Sequence, residues 1–291
     1  MAAEGTRPHM SEVKAILVTG GNAGIGRALC KLLASEHGCR VFMGSRSVDK
    51  GQAAVASIVE EAPMCAGKID VVQLDTQSDA SVAEAAKSVK ASMGGTPLYA
   101  VVNNAGAGLA HGVTGEAVID TNLYGPKRVC DQFVPLLSPI EGRIVNVGSG
   151  IGPAWMSRAS PEVKATLCDP LVKWEAVEKV AQASLAETQG DSRNAYGLSK
   201  ATLMALTTIL VREHPSITAS TISPGFIDTA MTHGFGARLA PEQGTVSICH
   251  CLFAKLAGNG WMYGSDGKRS PIDASREPGD PEYTDPTGRG F

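Results

Sequence analysis

The chain has 291 residues, of which 43% are hydrophobic and 19% charged, a balance that supports a large buried core and excludes global disorder. The formal net charge is −3 without any basic block, so neither nucleic acid nor an anionic membrane surface is expected as a partner. The seven cysteines are irregularly spaced, and Cys249-x-Cys251 is neither a CxxC redox pair nor half of a zinc knuckle; reduced intracellular thiols and no metal site are expected.

Residues 1–11 carry Glu4, Arg7 and His9 without the apolar stretch of a secretory signal, and a flexible N-terminus is expected there. No apolar run is long enough to span a bilayer, which makes a cytoplasmic protein the expectation. Ala15 to Val18 is a continuous apolar run, as in a strand buried on both faces. A helix is predicted from Arg27 to His37, stopped by Gly38, followed by a strand from Arg40 to Gly44 and a helix from Val48 to Glu61. Ile69 to Leu74 and Leu98 to Val102 read as strands, with a helix from Ser81 to Met93 between them. Ala117 to Pro135 is mostly helical, with Pro126 as the place for a kink. Arg143 to Val147 and Ile217 to Ile222 are the last predicted strands, and Ala195 to Glu213 the last predicted helix.

Residues 151–192 are too long for an ordinary connection. Ser160-Pro161 and Asp169-Pro170 look like helix starts, and Trp174, Val177, Ala181 and Leu185 keep helical spacing, so a pair of helices inserted over the site is expected. The tail from residue 258 to 291, rich in Gly, Pro, Asp and Arg, reads as irregular and partly mobile. Alternating strands and helices predict an α/β fold with a doubly wound parallel sheet, as one domain over residues 12–291. Ligands of such sheets bind beyond the carboxyl ends of the strands.

The candidate site residues fall at those ends. Thr19-Gly20-Gly21-Asn22-Ala23-Gly24-Ile25-Gly26 follows the first strand and opens a helix. A turn there must bring backbone close to a diphosphate: Gly20 permits the turn, Gly24 keeps a side chain out of the ligand's path, and Gly26 lets helix and strand pack closely. The helix N-terminus offers unpaired N–H groups to phosphate oxygens, and Asn22 and Ile25 are expected to meet the same ligand. Gly44-Ser45-Arg46 ends the second strand without a carboxylate for a ribose 2′-hydroxyl, while Arg46 suits a 2′-phosphate, which favours NADP(H) over NAD. Asp75 is placed to accept from an adenine amino group or to cap a helix. Asn103-Asn104-Ala105-Gly106 closes the fourth strand, where Asn103, Ala105 and Gly106 either bound the adenosine side or form a plain turn.

Tyr196 and Lys200 share one helical face. A free phenol titrates at roughly 10, too high for acid–base work at neutral pH, and a nearby ammonium or an oxidised nicotinamide ring would lower it. Ser149 ends the fifth strand, where its hydroxyl can steady a developing oxyanion, and Asn122 lies where it can hold a water that feeds protons towards Lys200. After the sixth strand, Pro224, Gly225 and Ile227 supply backbone and Thr229 a hydroxyl for a nicotinamide carboxamide. Trp155, Met156, Phe226, Met231 and Phe235 are candidate apolar walls for a substrate.

These pieces together, T-G-x-x-x-G-x-G, N-N-A-G, Asn122, Ser149, Y-x-x-x-K and P-G-x-x-x-T, resemble the short-chain dehydrogenase/reductase family. The resemblance implies Asn122, Ser149, Tyr196 and Lys200 as the catalytic set. Thr19-Gly20-Gly21-Asn22, Gly51-Gln52-Ala53-Ala54 and the long insertion are similar to the carbonyl reductase branch, where inserted helices cover the surface that pairs subunits, implying a monomer. Ala23 stands where NADP-dependent relatives often carry a basic residue, which leaves Arg46 to act alone. Gly148 stands where relatives usually have a second serine. The expected activity is NADPH-dependent reduction of small-molecule ketones and aldehydes. A nucleotide sensor or scaffold without catalysis, and a natural-product alcohol dehydrogenase, are the alternatives.

Overall fold

The computed structural model describes residues 13–108 and 113–285, so the expected flexible N-terminus lies outside the described residues. A mixed sheet runs in the order β3-β2-β1-β4-β5-β6-β7-β8. Its strands are β1 Ala15–Val18, β2 Arg40–Ser45, β3 Ile69–Gln73, β4 Ala100–Asn103, β5 Arg143–Val147, β6 Thr218–Ile222, β7 Met262–Tyr263 and β8 Arg269–Ser270. Neighbours are parallel through β7, and β8 returns antiparallel. The order reverses between β1 and β4, which opens a crevice at their carboxyl ends.

Successive side chains of β1 explain the two layers. Ile16 and Val18 pack with Leu29 and Leu33 of helix α1 (Gly24–Ser35) and Ile248 of helix α10 (Val246–Phe253). Ala15 and Leu17 point the other way, towards Val129 and Phe133 of helix α5 (Gly125–Phe133) and Leu203 of helix α9 (Ser192–Glu213). With apolar layers on both sides, all four residues of β1 are buried, which is why the run shows no alternation. Helices α2 (Val48–Glu61) and α3 (Asp79–Met93) complete the layers, each started by a serine, Ser47 and Ser78, that accepts from a backbone N–H.

The stretch expected to kink at Pro126 divides into α4 (Gly115–Ile119), a π-helical turn (Asp120–Tyr124) and α5, with the proline in the first turn of α5. The irregularity therefore precedes the proline and centres on Asn122. The insertion holds three helices rather than two: α6 (Ile151–Met156), α7 (Pro161–Leu167) and α8 (Trp174–Glu187). Ser160 caps α7 as expected, but Asp169 makes a local turn by accepting from the Leu171 N–H, and the next helix waits until Trp174. Only α6 borders the crevice. Val177 and Ala181 of α8 pack on the outer side of α9, in one cluster with Leu198, Ala205 and Ile209. The tail expected to be irregular from residue 258 contributes β7 and β8 before its backbone leaves regular structure.

Candidate active site

A cleft of about 1470 Å³ runs along the carboxyl ends of the strands. Gly20, Asn22, Gly24, Ile25, Arg46, Asp75, Ala105, Gly106, Ser149, Tyr196, Lys200, Pro224, Gly225, Ile227 and Thr229 line it, while Gly26, Asn103 and Asn122 lie behind its surface.

The turn after β1 is built by two loops holding each other. Gly20 has φ +62°, a conformation that favours glycine, and a side chain there would press on Ala105. Thr19 Oγ1 accepts from the N–H groups of Asn104 at 3.0 Å and Ala105 at 2.9 Å. Asn104 Nδ2 donates to the carbonyls of Thr19 at 2.9 Å and Gly20 at 3.2 Å. Gly26 sits under this knot: a Cβ on it would overlap the Gly20 carbonyl and the Asn104 amide. Its role is packing, as expected, but Asn104 is the residue that makes the packing necessary. The N-terminus of α1 has no side-chain cap and no acidic residue in its first turn, unlike α2, α3, α4, α7 and α9, which are all capped. Ala23, Gly24 and Ile25 present that uncapped end to the cleft, an environment suited to an anion.

At the far end, Arg46 is exposed and makes no ion pair among the described residues. Lys50, also exposed, lines the same end and was missed in the sequence, although it lies one helical turn beyond Arg46 in the first turn of α2. Asp75 does not cap α3, whose cap is Ser78. Its Oδ1 accepts from the Gln77 N–H at 3.1 Å in a local turn.

Asn103, expected to meet the cofactor, turns its side chain away from the cleft. Its side chain is buried and donates to Asn146 Oδ1 at 2.8 Å, and Asn146 Nδ2 donates in turn to Thr207 Oγ1 at 2.8 Å. Thr207 and Thr221 share a hydroxyl–hydroxyl bond of 2.7 Å. This polar line crosses the carboxyl ends of β4, β5 and β6 and ties them to α9.

Tyr196, partly buried, and Ser149 line the same part of the cleft, with the Ser149 hydroxyl near enough to act on the phenol. Lys200 is 5% exposed, and its Nζ donates to the Val147 carbonyl at 2.8 Å and stands 5.7 Å from the centre of the Tyr196 ring. Burial pulls the Lys200 ammonium down from its ordinary value to about 8. Burial also raises the Tyr196 phenol, and the neighbouring Ser149 hydroxyl opposes the rise. The Lys200 ammonium, anchored on the Val147 carbonyl, stands beside the phenol with its charge and two further donors intact.

Asn122 is likewise held differently from the expectation. Its Oδ1 accepts from the Ala107 N–H at 2.8 Å, and its Nδ2 donates to the Ala107 carbonyl at 2.7 Å and to Ser199 Oγ at 3.0 Å. Both amide hydrogens are committed, so the side chain latches the loop after β4 onto α9. That latch lays Gly108 (φ +142°) directly on the Tyr196 ring. Two further glycines bring the Ser149 segment down on α9: a Cβ at Gly152 would stand 2.9 Å from the Lys200 backbone, and one at Gly197 would stand 2.8 Å from Trp155. Gly148 has no room for a serine, since a Cβ would stand 2.6 Å from Thr221 and 2.9 Å from the Ile222 carbonyl.

The loop after β6 closes the cleft. Ser223 Oγ accepts from the Gly150 N–H at 3.0 Å, joining this loop to the Ser149 segment. Thr229 stands against Gly24, where a Cβ would lie 3.2 Å from its methyl group. Gly24 therefore makes room for Thr229 as much as for a ligand. Of the candidate walls, Phe226 and Met231 line the cleft. Trp155 packs on α9 and donates to Asn194 Oδ1 at 2.8 Å, Met156 is buried in the α8–α9 cluster, and Phe235 is 43% exposed outside the lining.

Known proteins match both the chain and its shape. The family model described as short chain dehydrogenase matches residues 14–161. A (+)-neomenthol dehydrogenase from Arabidopsis thaliana is 32% identical over 266 residues, covering 79% of this chain and 88% of the relative. A human carbonyl reductase [NADPH] 1 is 29% identical over 260 residues, covering 80% of this chain and 88% of the relative. The structure of salutaridine reductase from Papaver somniferum superposes with a TM-score of 0.74 at 27% identity, over 86% of this chain and 99% of that one. The match over half of the chain, the level of identity and the strand order agree: this chain belongs to the short-chain dehydrogenase family.

Proposed function

We propose that the protein is an NADPH-dependent reductase of small-molecule ketones and aldehydes. The observation that carries this reading is the meeting of Tyr196, Ser149 and Lys200 in one cleft whose other end is cationic. The chain's own groups fit the dinucleotide. The uncapped N-terminus of α1 suits its diphosphate, Arg46 and Lys50 suit a 2′-phosphate, and Asp75 keeps a carboxylate oxygen for an adenine amino group. The human carbonyl reductase named for NADPH supports the phosphorylated form.

When bound, the nicotinamide supplies the hydride. The protein supplies position and a proton. Ser149 donates to the carbonyl oxygen and steadies the charge that develops there. Tyr196 Oη gives that oxygen its proton, from a phenol that burial keeps protonated at neutral pH. Lys200 keeps its ammonium beside the phenol by leaning on the Val147 carbonyl and has donors left for a ribose hydroxyl. Asn122 acts through the loop it latches, which holds Gly108 on the phenol ring. Pro224, Gly225, Ile227 and Thr229 form the wall for the carboxamide side.

The protein works as a cytoplasmic monomer in this reading. In support, α8 covers the outer side of α9, and no helix of the described residues is long and apolar enough to cross a membrane. The test is NADPH consumption, followed by absorbance, against a panel of ketones and aldehydes. Oxidation of NADPH that depends on the carbonyl compound supports the reading. Tight NADPH binding with no turnover of any compound rejects it in favour of a nucleotide-binding protein without catalysis.

A further inference from the structure

The last described stretch has neither helix nor strand after β8, yet it stands at the cleft. Ala274, Ser275, Glu277 and Pro278 line the cleft on the β7–β8 side, next to Ser265, which packs against Gly225 of the loop after β6. The sheet order therefore puts this wall beyond the nicotinamide loop, opposite the adenosine end.

One side chain holds the wall in place. The Arg276 side chain is 5% exposed, and each of its N–H donors is used. Its fork grips the Asp266 carboxylate at 3.1 and 2.6 Å, and the same two nitrogens donate to Ser270 Oγ at 3.4 Å and the Asp280 carbonyl at 2.9 Å. Nε donates to the Pro281 carbonyl at 2.9 Å. Asp266 answers with two backbone contacts, from the Gly279 N–H at 3.1 Å and the Lys268 N–H at 3.2 Å, and is held well below the ordinary carboxylate range, chiefly by Arg276. Gly264 has no side chain because a Cβ would stand 2.8 Å from the guanidinium. A planar fork with this many acceptors is something an ammonium cannot replace.

We propose that Asp266 and Arg276 are specificity-determining positioning residues: they clip residues 274–278 into the substrate end of the cleft, where that segment contacts the part of a carbonyl compound remote from the reacting carbon. The substrates so selected are bulky ketones: Phe226, Met231, Ala274 and Pro278 offer the cleft apolar contacts, and Ser275 and Glu277 of the clipped wall add polar ones at its edge. A small aldehyde reaches Ser149 and Tyr196 without touching the clipped segment. This inference rests on the carbonyl reductase reading.

The experiment compares 2-decalone with butanal as substrates for the wild type, Arg276→Met, Arg276→Lys and Asp266→Asn. The KM for decalone rises about tenfold in all three variants, with butanal kinetics and NADPH affinity within about twofold of wild type. Equal losses for both substrates, or no loss for either, overturn the proposal. Hydrogen exchange reads the clip without turnover: amides of 274–280 exchange about tenfold faster in Arg276→Met and Asp266→Asn than in the wild type. If the wild type reduces neither compound, the carbonyl reductase reading is what fails. Unchanged exchange in the variants overturns the clip itself.

Discussion

The Lys200 ammonium rests on the carbonyl of Val147, 2.8 Å away, so the last residue of β5, two before Ser149, also anchors the lysine that flanks Tyr196. One backbone segment thereby sets the position of all three polar groups. The same burial that makes this bond necessary lowers the lysine to about 8.

That value gives a pH dependence with a definite sign. A dinucleotide that bonds to the ammonium raises the Lys200 pKa on binding. Below pH about 8 the lysine is protonated with or without the ligand, and NADPH affinity is flat. Above pH about 8 the free protein must take up a proton to bind, and affinity falls by up to about tenfold per pH unit. Fluorescence titration of NADPH binding from about pH 6.5 to about pH 9.5, on both sides of the Lys200 value, checks this. In Lys200→Met the affinity is weaker and the profile loses this slope.

Arg46 and Lys50 face the same end of the cleft, and neither forms an ion pair with a carboxylate among the described residues. Arg46→Asp weakens NADPH by about a hundredfold and NADH only slightly, since it loses a charge-assisted contact and adds a repulsion. Lys50→Ala costs NADPH about fivefold, because a flexible exposed ammonium contributes less than a planar fork. Dissociation constants for both dinucleotides, measured side by side, check the pair. Equal losses for NADPH and NADH would remove both residues as readers of the 2′-phosphate.

Gly108 lies on the Tyr196 ring with φ +142°. Gly108→Ala forces either the loop or the ring to move, so turnover drops by about tenfold or more while NADPH affinity changes little. Steady-state kinetics with a bound-cofactor control read the two effects separately.

Asn104 fastens the turn after β1 through the carbonyls of Thr19 and Gly20. Asn104→Ala leaves those carbonyls without a protein donor and lowers stability by about 1–3 kcal/mol. NADPH raises the melting temperature of this variant less than that of the wild type, which differential scanning fluorimetry measures.

The elements readable in the sequence are those whose pattern depends on local physics. β1, α2 and β5 were legible to the residue because an unbroken apolar run, a serine cap and a strand between turn residues each leave a mark in the chain. Tyr196 and Lys200 were legible because their spacing matches the helix that carries them, and Ser149 because it follows the apolar run of β5. What escaped depends on partners distant in sequence. The commitment of Asn103 to Asn146 and of Asn122 to Ala107 and Ser199 is decided by which strands and helices become neighbours. The tail read as irregular because its order comes from one guanidinium gathering carbonyls, a device that composition does not reveal.

The central claim is that Tyr196 is the proton donor in a site otherwise built to bind NADPH. Tyr196→Phe removes one oxygen from a ring that stays packed under Gly108, so the fold and the cofactor cleft are kept. Single-turnover consumption of NADPH with a carbonyl substrate that the wild type reduces tests the claim most directly. The account predicts a rate lowered by roughly a hundredfold or more with NADPH affinity unchanged. A Tyr196→Phe protein that still reduces the substrate at near wild-type rate would contradict it.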